Sequence, residues 1–533
     1  MSQHVAKEGW GSRLGVILAV TGSAVGLGNF LRFPGLAAKY DGGAFMIPYF
    51  AAFLLLGLPI AWVEWSMGRY GGARGFNSSP GIYRTIWNHK AAPYFGVLAM
   101  IIPVMVYMYY IYVEAWCLGY SVRYLQGAMD LGRDPAAYEQ FFTDYVGREA
   151  DGAAFAAANG GFFDSALFYL VLCFVVNFVL IYRGLSKGIE WCCNWAMPAL
   201  VVCALIVLAR VLTLGTPDPA QPDQNLLNGL GYMWNPTTAR QGFWESLANA
   251  QMWLDAAGQI FFSLSVGFGI VITYASYLRK DDDVALSALT ACAGNEFCEV
   301  ALGGLITIPA AFVFLGLPFL QQLHANPVSS YGLGFVTLPN VFSQMIFGQF
   351  IGFVFFFLLF LAALTSSVSM LQPAIALLEE GLGLKRRASV ALLGFITAVG
   401  TGFVVYFSKG MAALDTIDFW VGTLAIYVLA TFQVVLFGWV LGVDRGFDEL
   451  ARGAEFRIPR LFKFVIKYVS PVYLLAISAA WCYKEFYAKP EQLQKLRTDT
   501  VAKLSVGFIV IVAILFALLI AQSVRRWQAA ERK

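Results

Sequence analysis

Charged residues are scarce in this chain: Asp, Glu, Lys and Arg make up 13% of its 533 residues, against about 25% in soluble domains. This scarcity argues against disorder, a coiled coil and an ordinary cytosolic enzyme. The net charge of +3 is too small to indicate a nucleic-acid partner. The three His lie in terminal or loop segments, and three are too few to build a metal centre unaided.

Enzyme motifs are missing as well. No His-Glu-x-x-His zinc motif occurs, and the Gly26-x-Gly28 pair lacks the third Gly and the preceding strand of a dinucleotide-binding loop. The eight Cys fall inside or at the ends of apolar stretches, where they act as small hydrophobic residues, so no disulfide framework is predicted. We therefore expect a protein that is not an enzyme.

The chain instead consists largely of apolar sequence, with 59% hydrophobic residues. A helix needs about 20 apolar residues to cross a bilayer, so this composition predicts an all-α polytopic membrane protein. Hydropathy predicts twelve transmembrane helices, at about 14–38, 44–67, 94–125, 166–182, 190–212, 243–277, 284–315, 347–378, 388–407, 411–441, 464–487 and 504–523.

Basic residues predict the orientation. With an even number of spans both termini lie on one side, and that side carries most of the Lys and Arg between spans, so it is expected to be cytoplasmic. The longest opposite loop, 126–165, is acidic. We predict a multi-pass protein of the cell inner (plasma) membrane. Its four regions would be residues 1–213 (tail and spans one to five), 214–241 (extracellular connector), 242–441 (spans six to ten, with a re-entrant cap at about 316–346) and 442–533 (spans eleven and twelve with a cytoplasmic tail).

Two of the spans are interrupted by Gly and Ser. Residues 22–29 of the first span (GSAVGLGN) hold three Gly within seven residues, and residues 263–269 of the sixth (SLSVGFG) are similar. Irregular backbone at membrane depth survives only where it lines a cavity or is buried in protein. Tight helix packing is the alternative, because Gly22 and Gly26 also form a GxxxG motif. Breaks at corresponding positions of two repeats are typical of a transporter binding site.

At residues 24–34 (AVGLGNFLRFP) the sequence strongly resembles the first-helix signature of the neurotransmitter:sodium symporter family, in its bacterial LeuT-like branch. Six further segments resemble the same family: 42–49 (GGAFMIPY), 64–72 (EWSMGRYGG), 258–265 (GQIFFSLS), 294–296 (GNE), 364–367 (LTSS) and 418–420 (DFW). The resemblance implies two inverted five-helix repeats plus two additional helices, with helices 1 and 6 unwound at mid-membrane. It also implies sodium-coupled symport of an amino acid by alternating access.

The resemblance implies two Na⁺ ions held by carbonyl, hydroxyl and amide oxygens, which suit a hard cation. The first site would be formed by Ala24, Asn29, Ser263 and Asn295 with the substrate carboxylate. The second would be formed by Gly22, Val25, Ala362, Thr365 and Ser366. From the residues alone, the preferred interpretation of Thr365 and Ser366 is a pair of hydroxyls bonded back to their own helix.

For the substrate, the resemblance implies that the backbone amides near Leu27 and Gly28 and the Tyr110 hydroxyl bind the carboxylate. The predicted substrate-binding residues are Ala24, Gly26, Leu27, Gly28, Val106, Tyr110, Phe262, Ser263, Ser265, Phe268, Ser366, Ser369 and Met370. The walls are mostly apolar and uncharged, so a neutral, apolar (aliphatic or aromatic) L-amino acid is predicted. Packing remains the alternative for Val106 and Ser369.

Each side of the site needs a gate for alternating access. The resemblance assigns Arg32 and Asp418 to the extracellular gate, with Phe262 as an aromatic lid, and an intramembrane Arg is costly enough to favour a functional role. The cytoplasmic gate would be formed by Lys7, Trp10, Tyr277 and Glu380. Capping of a helix end is the alternative for Glu380.

The fifth span carries a further pair of helix-weakening residues. Gly188 and Pro198 have the spacing that permits local unwinding in related transporters. An ordinary helix start and a kink are the alternative.

Glu299 resembles the carboxylate that takes the place of bound Cl⁻ in chloride-independent members, near Tyr49, Gln259 and Ser263. We therefore predict that no chloride is needed, with Glu299 ionised beside bound Na⁺ and protonated on the return step. This cycle would allow proton counter-transport. Glu64, a second buried acid, is predicted to orient the first sodium site from behind. A transport-inactive amino-acid sensor or channel-like protein on the same fold is the alternative function.

Overall fold

A computed structural model describes residues 9–40, 42–155, 162–235, 242–325, 330–488 and 490–532. All regular secondary structure in these ranges is helical, which confirms the predicted fold class. We number the longer helices in chain order as α1 (Arg13–Ala24), α2 (Gly28–Lys39), α3 (Gly42–Gly72), α4 (Ala92–Leu125), α5 (Ala166–Tyr182), α6 (Leu185–Leu212), α7 (Ala250–Leu264), α8 (Ile270–Ala275), α9 (Val284–Leu317), α10 (Leu333–Ser343), α11 (Gly348–Leu382), α12 (Arg386–Tyr406), α13 (Lys409–Ala451), α14 (Leu461–Ala488) and α15 (Thr500–Glu531).

Nine helices of the described ranges are long and apolar enough to cross a membrane: α3, α4, α6, α9 and α11 to α15. The count is ten if α1 and α2, which meet at a bend of 48°, form one span. Two of the twelve predicted spans do not meet this length criterion. The fourth corresponds to α5, which has 17 residues, and the sixth is divided by a break into α7 and α8. Helix α10 is likewise too short to span, in the region predicted as a cap.

The two interruptions coincide with the Gly-rich segments. Helix α1 ends at Ala24 because Val25 takes an extended conformation, and α2 begins at Gly28. Helix α7 ends where Ser265, Gly267 and Gly269 all have positive φ, a left-handed conformation that no α-helix accommodates. Gly adopts that conformation without steric cost, whereas Ser265 does so at a cost.

The most extensive helix–helix contact in the molecule is that between α4 and α11. Helix α11 packs along both α4 and α6, and α1 contacts α6, α7, α9 and α11. Helix α4 is the most buried of the long helices, whereas α15 has few fully buried residues. Both helix breaks are therefore enclosed by other helices at the centre of the protein.

Candidate functional site

The two helix breaks contact each other directly. The Ser265 hydroxyl, at the start of the second break, donates to the carbonyl oxygen of Ser23 at 2.8 Å. That carbonyl belongs to the last turn of α1, where the backbone leaves the helix. This contact partly explains how Ser265 is held in a left-handed conformation, and it joins the two irregular segments into one site.

A cluster of oxygens forms where α11 meets the first break. The Ser366 hydroxyl lies 3.2 Å from the Gly22 carbonyl, 3.4 Å from that of Val25 and 3.0 Å from that of Ala362. One hydroxyl proton can bond to only one of these carbonyls, so the others direct free lone pairs into the same space. Thr365 contributes a hydroxyl 3.2 Å from the Ala362 carbonyl.

The five residues predicted for the second sodium site are thus brought together, and every candidate ligand atom is an oxygen, which a hard cation prefers. The Thr365 hydroxyl also lies 3.0 Å from the Leu361 carbonyl, the contact expected of a hydroxyl bonded back to its helix. Gly22 permits the close packing, because a Cβ there would lie 3.1 Å from the Thr365 Cβ.

The amides predicted for the first sodium site form a second cluster. Asn29 donates from Nδ2 to Asn295 Oδ1 at 2.8 Å, and Asn295 donates from Nδ2 to the Ser263 hydroxyl at 2.7 Å. The Oδ1 atom of Asn29 accepts from the Gly26 amide at 2.9 Å. Each amide oxygen keeps a free lone pair for a cation. Three of the four predicted residues therefore meet, and the fourth, Ala24, is the last residue of α1.

Glu299 is fully buried behind this cluster and accepts hydrogen bonds from four side chains. Gln259 Nε2 donates to Oε1 at 2.5 Å, while the amides of Asn295 and Asn29 lie 3.2 and 3.5 Å from Oε2. The Ser263 hydroxyl also donates to Oε2. All the hydrogens in these bonds come from the partners, so the arrangement suits an ionised carboxylate.

Tyr49 was predicted near Glu299, and its hydroxyl interacts with both Glu299 and Glu296, donating to Glu296 Oε2 at 2.9 Å. Helix α9 widens by one residue per turn over Phe297–Gly303, the segment that holds Glu299. Neither this π-turn nor the contact with Glu296 was predicted from the sequence. Glu64, expected to support the first sodium site, instead accepts from the Gly267 amide at 3.3 Å, at the second break.

A cavity of about 200 Å³ lies between α2, α4, α7 and α13. It is lined by Leu27, Gly28, Leu31, Arg32, Tyr109, Tyr110, Phe262, Tyr331, Asp415 and Asp418. At its base the Tyr110 hydroxyl accepts from the Leu27 amide at 3.3 Å and keeps its own proton to donate. Gly26 is required here, because a Cβ would lie 2.8 Å from that hydroxyl.

Four of the thirteen predicted substrate-binding residues line this cavity, namely Leu27, Gly28, Tyr110 and Phe262. The other nine do not line it: Ala24, Gly26, Val106, Ser263, Ser265, Phe268, Ser366, Ser369 and Met370. All nine are buried, and the Phe268 ring lies edge-on to that of Phe262 with centroids 6.1 Å apart. The Ser369 hydroxyl donates to the Thr365 carbonyl of its own helix at 3.0 Å. The packing alternative stays open for Val106 and Ser369.

The predicted extracellular gate residues share the cavity but are not paired. The Arg32 guanidinium lies over the Phe262 ring, 4.9 Å from its centroid, and Asp418 accepts from the Tyr109 hydroxyl at 2.5 Å. Among the ion pairs of the described ranges, none joins Arg32 to Asp418 within 4.0 Å. Tyr109 was not predicted, although it stands in a Tyr-rich run beside Tyr110.

Three of the four predicted cytoplasmic gate residues, Trp10, Tyr277 and Glu380, make hydrogen bonds in the structure. Trp10 Nε1 donates to the Tyr274 carbonyl at 3.0 Å, and the Tyr277 hydroxyl accepts from Gln372 at 3.3 Å. Lys7 lies outside the described residues. Glu380 accepts from the backbone amide of Ser78 at 2.8 Å, so it binds the N-terminal end of the short helix Ser79–Ile86, as the alternative for this residue held.

Glu190 is a contact of the cytoplasmic end that sequence reasoning missed. This buried carboxylate accepts from the Gly11 amide at 2.8 Å and the Ser12 hydroxyl at 3.0 Å, at the start of α1. A Cβ on Gly15 would collide with the carboxylate. Glu190 lies two residues after Gly188 in the segment predicted to unwind. An acid at the start of an apolar span was the available signal.

The chain is similar in sequence and in fold to known transporters. The model of the sodium:neurotransmitter symporter family matches residues 7–139 and 161–528. The chain is 28% identical over 481 residues to an uncharacterized sodium-dependent transporter of Methanocaldococcus jannaschii, covering 89% of this chain and 90% of that protein. An uncharacterized sodium-dependent transporter of Haemophilus influenzae is 27% identical, over 88% of this chain and 97% of its own length.

Among solved structures, the crystal structure of MhsT in complex with L-phenylalanine superposes with a TM-score of 0.73 at 26% identity. It covers 89% of this chain and 99% of MhsT. With the sequence signature, the two broken helices and a family match over most of its length, the chain belongs to the sodium:neurotransmitter symporter family.

Proposed function

We propose that this protein imports a neutral, apolar L-amino acid together with two Na⁺ ions by alternating access. The observation that carries the proposal is the convergence of the Gly22, Val25 and Ala362 carbonyls on the Ser366 hydroxyl. For packing alone, a continuous helix would be more stable than a break that leaves oxygens in a buried cluster. Such a cluster of uncharged oxygens does match what a dehydrated cation needs.

The two sodium sites would hold their ions with different groups. At the second site, the three carbonyls and the hydroxyls of Thr365 and Ser366 would bind the cation. At the first, the amide oxygens of Asn29 and Asn295 would bind it with the Ala24 carbonyl, the Ser263 hydroxyl and the substrate carboxylate. Each bound ion would pull a helix break toward α9 or α11, which couples sodium binding to the geometry of the substrate pocket.

The substrate would lie at the base of the 200 Å³ cavity. Its carboxylate would accept from the Tyr110 hydroxyl and from the amides at the start of α2, where the helix dipole favours a negative group. The Phe262 ring, with the Phe268 ring packed against it, would offer the substrate side chain an apolar surface, so an apolar side chain is favoured. The L-phenylalanine bound in MhsT supports this substrate class.

Chloride would not be required, because Glu299 already supplies a negative group beside the first site. Four donors fix it there, so no anion from solution is needed to offset two cations and one zwitterion. Proton counter-transport through Glu299 stays a prediction.

The described contacts correspond to a protein closed on the cytoplasmic side. Glu190 and the Tyr274 carbonyl hold the start of α1, while Arg32 and Asp418 remain apart. Closure of that outer pair over Phe262, followed by release of Gly11 and Ser12 from Glu190, would expose the site to the cytoplasm. We further propose twelve spans, counting α1 with α2, α5, and α7 with α8, in two inverted repeats of five plus two, in the plasma membrane with cytoplasmic termini.

Substrate binding tests this proposal. Purified protein should bind labelled L-phenylalanine or L-leucine in Na⁺ and not in K⁺, and unlabelled neutral apolar amino acids should compete where Lys and Glu do not. Ser366→Ala should need more Na⁺ for the same binding. Equal binding in K⁺ would refute the sodium sites, and competition by charged amino acids would refute the substrate class. Sodium-dependent binding without uptake by liposomes would instead indicate the sensor alternative.

A further inference from the structure

Glu114 is a fully buried acid that neither the sodium sites nor the substrate pocket uses. It lies on α4 at the centre of the protein, and it contacts Asn177 on α5 and Ser367 on α11, both also fully buried. Ser367 directly follows Thr365 and Ser366, the hydroxyls of the proposed second sodium site. The three side chains form a polar cluster inside apolar packing.

The orientation of the Asn177 amide is fixed by its surroundings. Its Nδ2 atom lies 3.0 Å from the Cys173 carbonyl, which can only accept, and 2.9 Å from Glu114 Oε1. Turning the amide would place its oxygen against that carbonyl. Oδ1 must therefore point the other way, and it lies 2.7 Å from the Ser367 hydroxyl.

The number of hydrogens then decides the state of Glu114. The Ser367 oxygen lies 2.6 Å from Glu114 Oε2 and 2.7 Å from Asn177 Oδ1, but it carries one proton. If Glu114 were ionised, one of these two short oxygen–oxygen contacts would contain no hydrogen. Donation to the Leu364 carbonyl, 3.1 Å away, would leave both contacts without one.

One added proton satisfies every contact. With a proton on Glu114 Oε2, the acid donates to Ser367, Ser367 donates to Asn177 Oδ1, and Asn177 donates back to Glu114 Oε1. The result is a closed ring of three hydrogen bonds in which each group both donates and accepts. Buried polar groups are stable when fully paired in this way.

The surroundings favour the neutral acid as well. The titratable side chains facing Glu114 are the hydroxyls of Tyr107 and Tyr110 and the thiols of Cys117, Cys173 and Cys192, and all of them are neutral groups. The Cys173 thiol also hydrogen-bonds to Glu114, but it supplies no proton to the contact between Ser367 and Asn177. In the described part of the chain no Lys, Arg or His forms an ion pair with it. An unpaired carboxylate at this depth would be costly.

We propose that Glu114 is held as a protonated acid, and that its ring with Asn177 and Ser367 positions the turn of α11 that carries the second sodium site. Glu114 is thus a positioning residue that ties α4 and α5 to this turn and does not act as a counter-charge for Na⁺. The link to sodium rests on the proposed function, whereas the protonated state rests on the hydrogen-bond geometry alone.

Two substitutions separate these roles. Glu114→Gln replaces the acid O–H by an amide N–H, so the ring can form again, and the Na⁺ concentration for half-maximal uptake should stay within about twofold of wild type, with the same pH profile. Glu114→Leu removes donor and acceptor together, and that Na⁺ concentration should rise roughly tenfold. A loss in Glu114→Gln as large as in Glu114→Leu, or no change in either variant, would overturn the proposal.

Infrared spectroscopy tests the proton itself without relying on transport or on the Leu variant folding. The wild-type protein in lipid at neutral pH should show the carbonyl stretch of a protonated carboxylic acid, and its Glu114→Gln difference spectrum should show that this band is lost. A difference spectrum without such a band would refute the protonated state even if sodium coupling were demonstrated. The band is expected in the wild-type protein whether or not uptake proves to be coupled to sodium, so the two proposals can fail independently.

Discussion

Glu299 and Glu114 are two buried acids without a basic partner among the described ion pairs, yet their surroundings differ. Glu299 is met by donors alone, from Gln259, Ser263, Asn295 and Asn29. Glu114 is met by one amide donor, by the weakly donating Cys173 thiol and by a hydroxyl that must also serve Asn177. The difference shows that the partners, more than burial itself, decide whether a buried carboxyl group suits the charged or the neutral form.

The two acids would therefore have different roles at the two proposed sodium sites. Behind the proposed first sodium site Glu299 would provide a negative charge. Beside the proposed second site Glu114 would provide a neutral support. The same substitution, Glu to Gln, should therefore have a large effect at Glu299 and almost none at Glu114, and this contrast tests the comparison directly.

The largest effect is expected for Glu299→Gln. The free Oε1 of Gln259 can turn toward the new amide, so hydrogen bonds are kept and the lost charge dominates. Removing a unit charge a few ångströms from a cation should raise the Na⁺ concentration for half-maximal uptake on the order of a hundredfold. Glu114→Gln serves as the matched control, and equal loss in both variants would remove the distinction between the two acids.

A second test uses Glu299→Ser, which removes the charge and leaves space. Uptake in gluconate should fall to background, and adding Cl⁻ should restore much of it because the anion supplies the missing negative charge. Wild-type uptake should be the same in both salts. A chloride requirement in the wild-type protein would contradict the role given to Glu299.

Ser366→Ala should have a smaller effect, confined to sodium. It removes one oxygen from the second site, so the half-saturating Na⁺ concentration should rise roughly tenfold. Ser505→Ala is the control, because that buried hydroxyl donates to the Val501 carbonyl of its own helix, on α15. Equal responses of the two variants would show that the oxygen cluster at Ser366 does not bind the cation.

The smallest effect is expected for Gly26→Ala, which alters neither acid. The added methyl group would lie 2.8 Å from the Tyr110 hydroxyl and 3.2 Å from the Ser366 hydroxyl, so the tyrosine must shift away from the substrate carboxylate. The half-saturating substrate concentration should rise about fivefold. Gly402→Ala is the control, since a Cβ there meets nothing within 4 Å. An unchanged substrate dependence would move the carboxylate site elsewhere.

The sequence predicted the all-helical fold and the positions of the two breaks because Gly and Ser clusters leave a local signal. The residues of the second sodium site could be named because the LTSS segment stands inside a recognisable family motif. Both predictions rest on short local segments of sequence and do not depend on which helices pack together.

The parts that were missed depend on distant partners. Glu114 stands in a long apolar run, and its partners Asn177 and Ser367 are 63 and 253 residues away, so no local pattern reveals the ring. The contact of Tyr49 with Glu296, in addition to the predicted neighbour Glu299, joins residues 247 positions apart and leaves no local signal either. The separation of Arg32 from Asp418 reflects a conformation, and a sequence lists gate residues without saying which gate is closed.

Uptake driven by a sodium gradient tests the central claim most directly. Liposomes containing the protein would be given labelled L-phenylalanine or L-leucine with an inward Na⁺ gradient, with K⁺ replacing Na⁺ outside as the control. We predict accumulation above the external concentration with Na⁺ and none with K⁺. Equal uptake in the two salts would contradict the proposal that the oxygen clusters at the broken helices couple sodium to amino-acid transport.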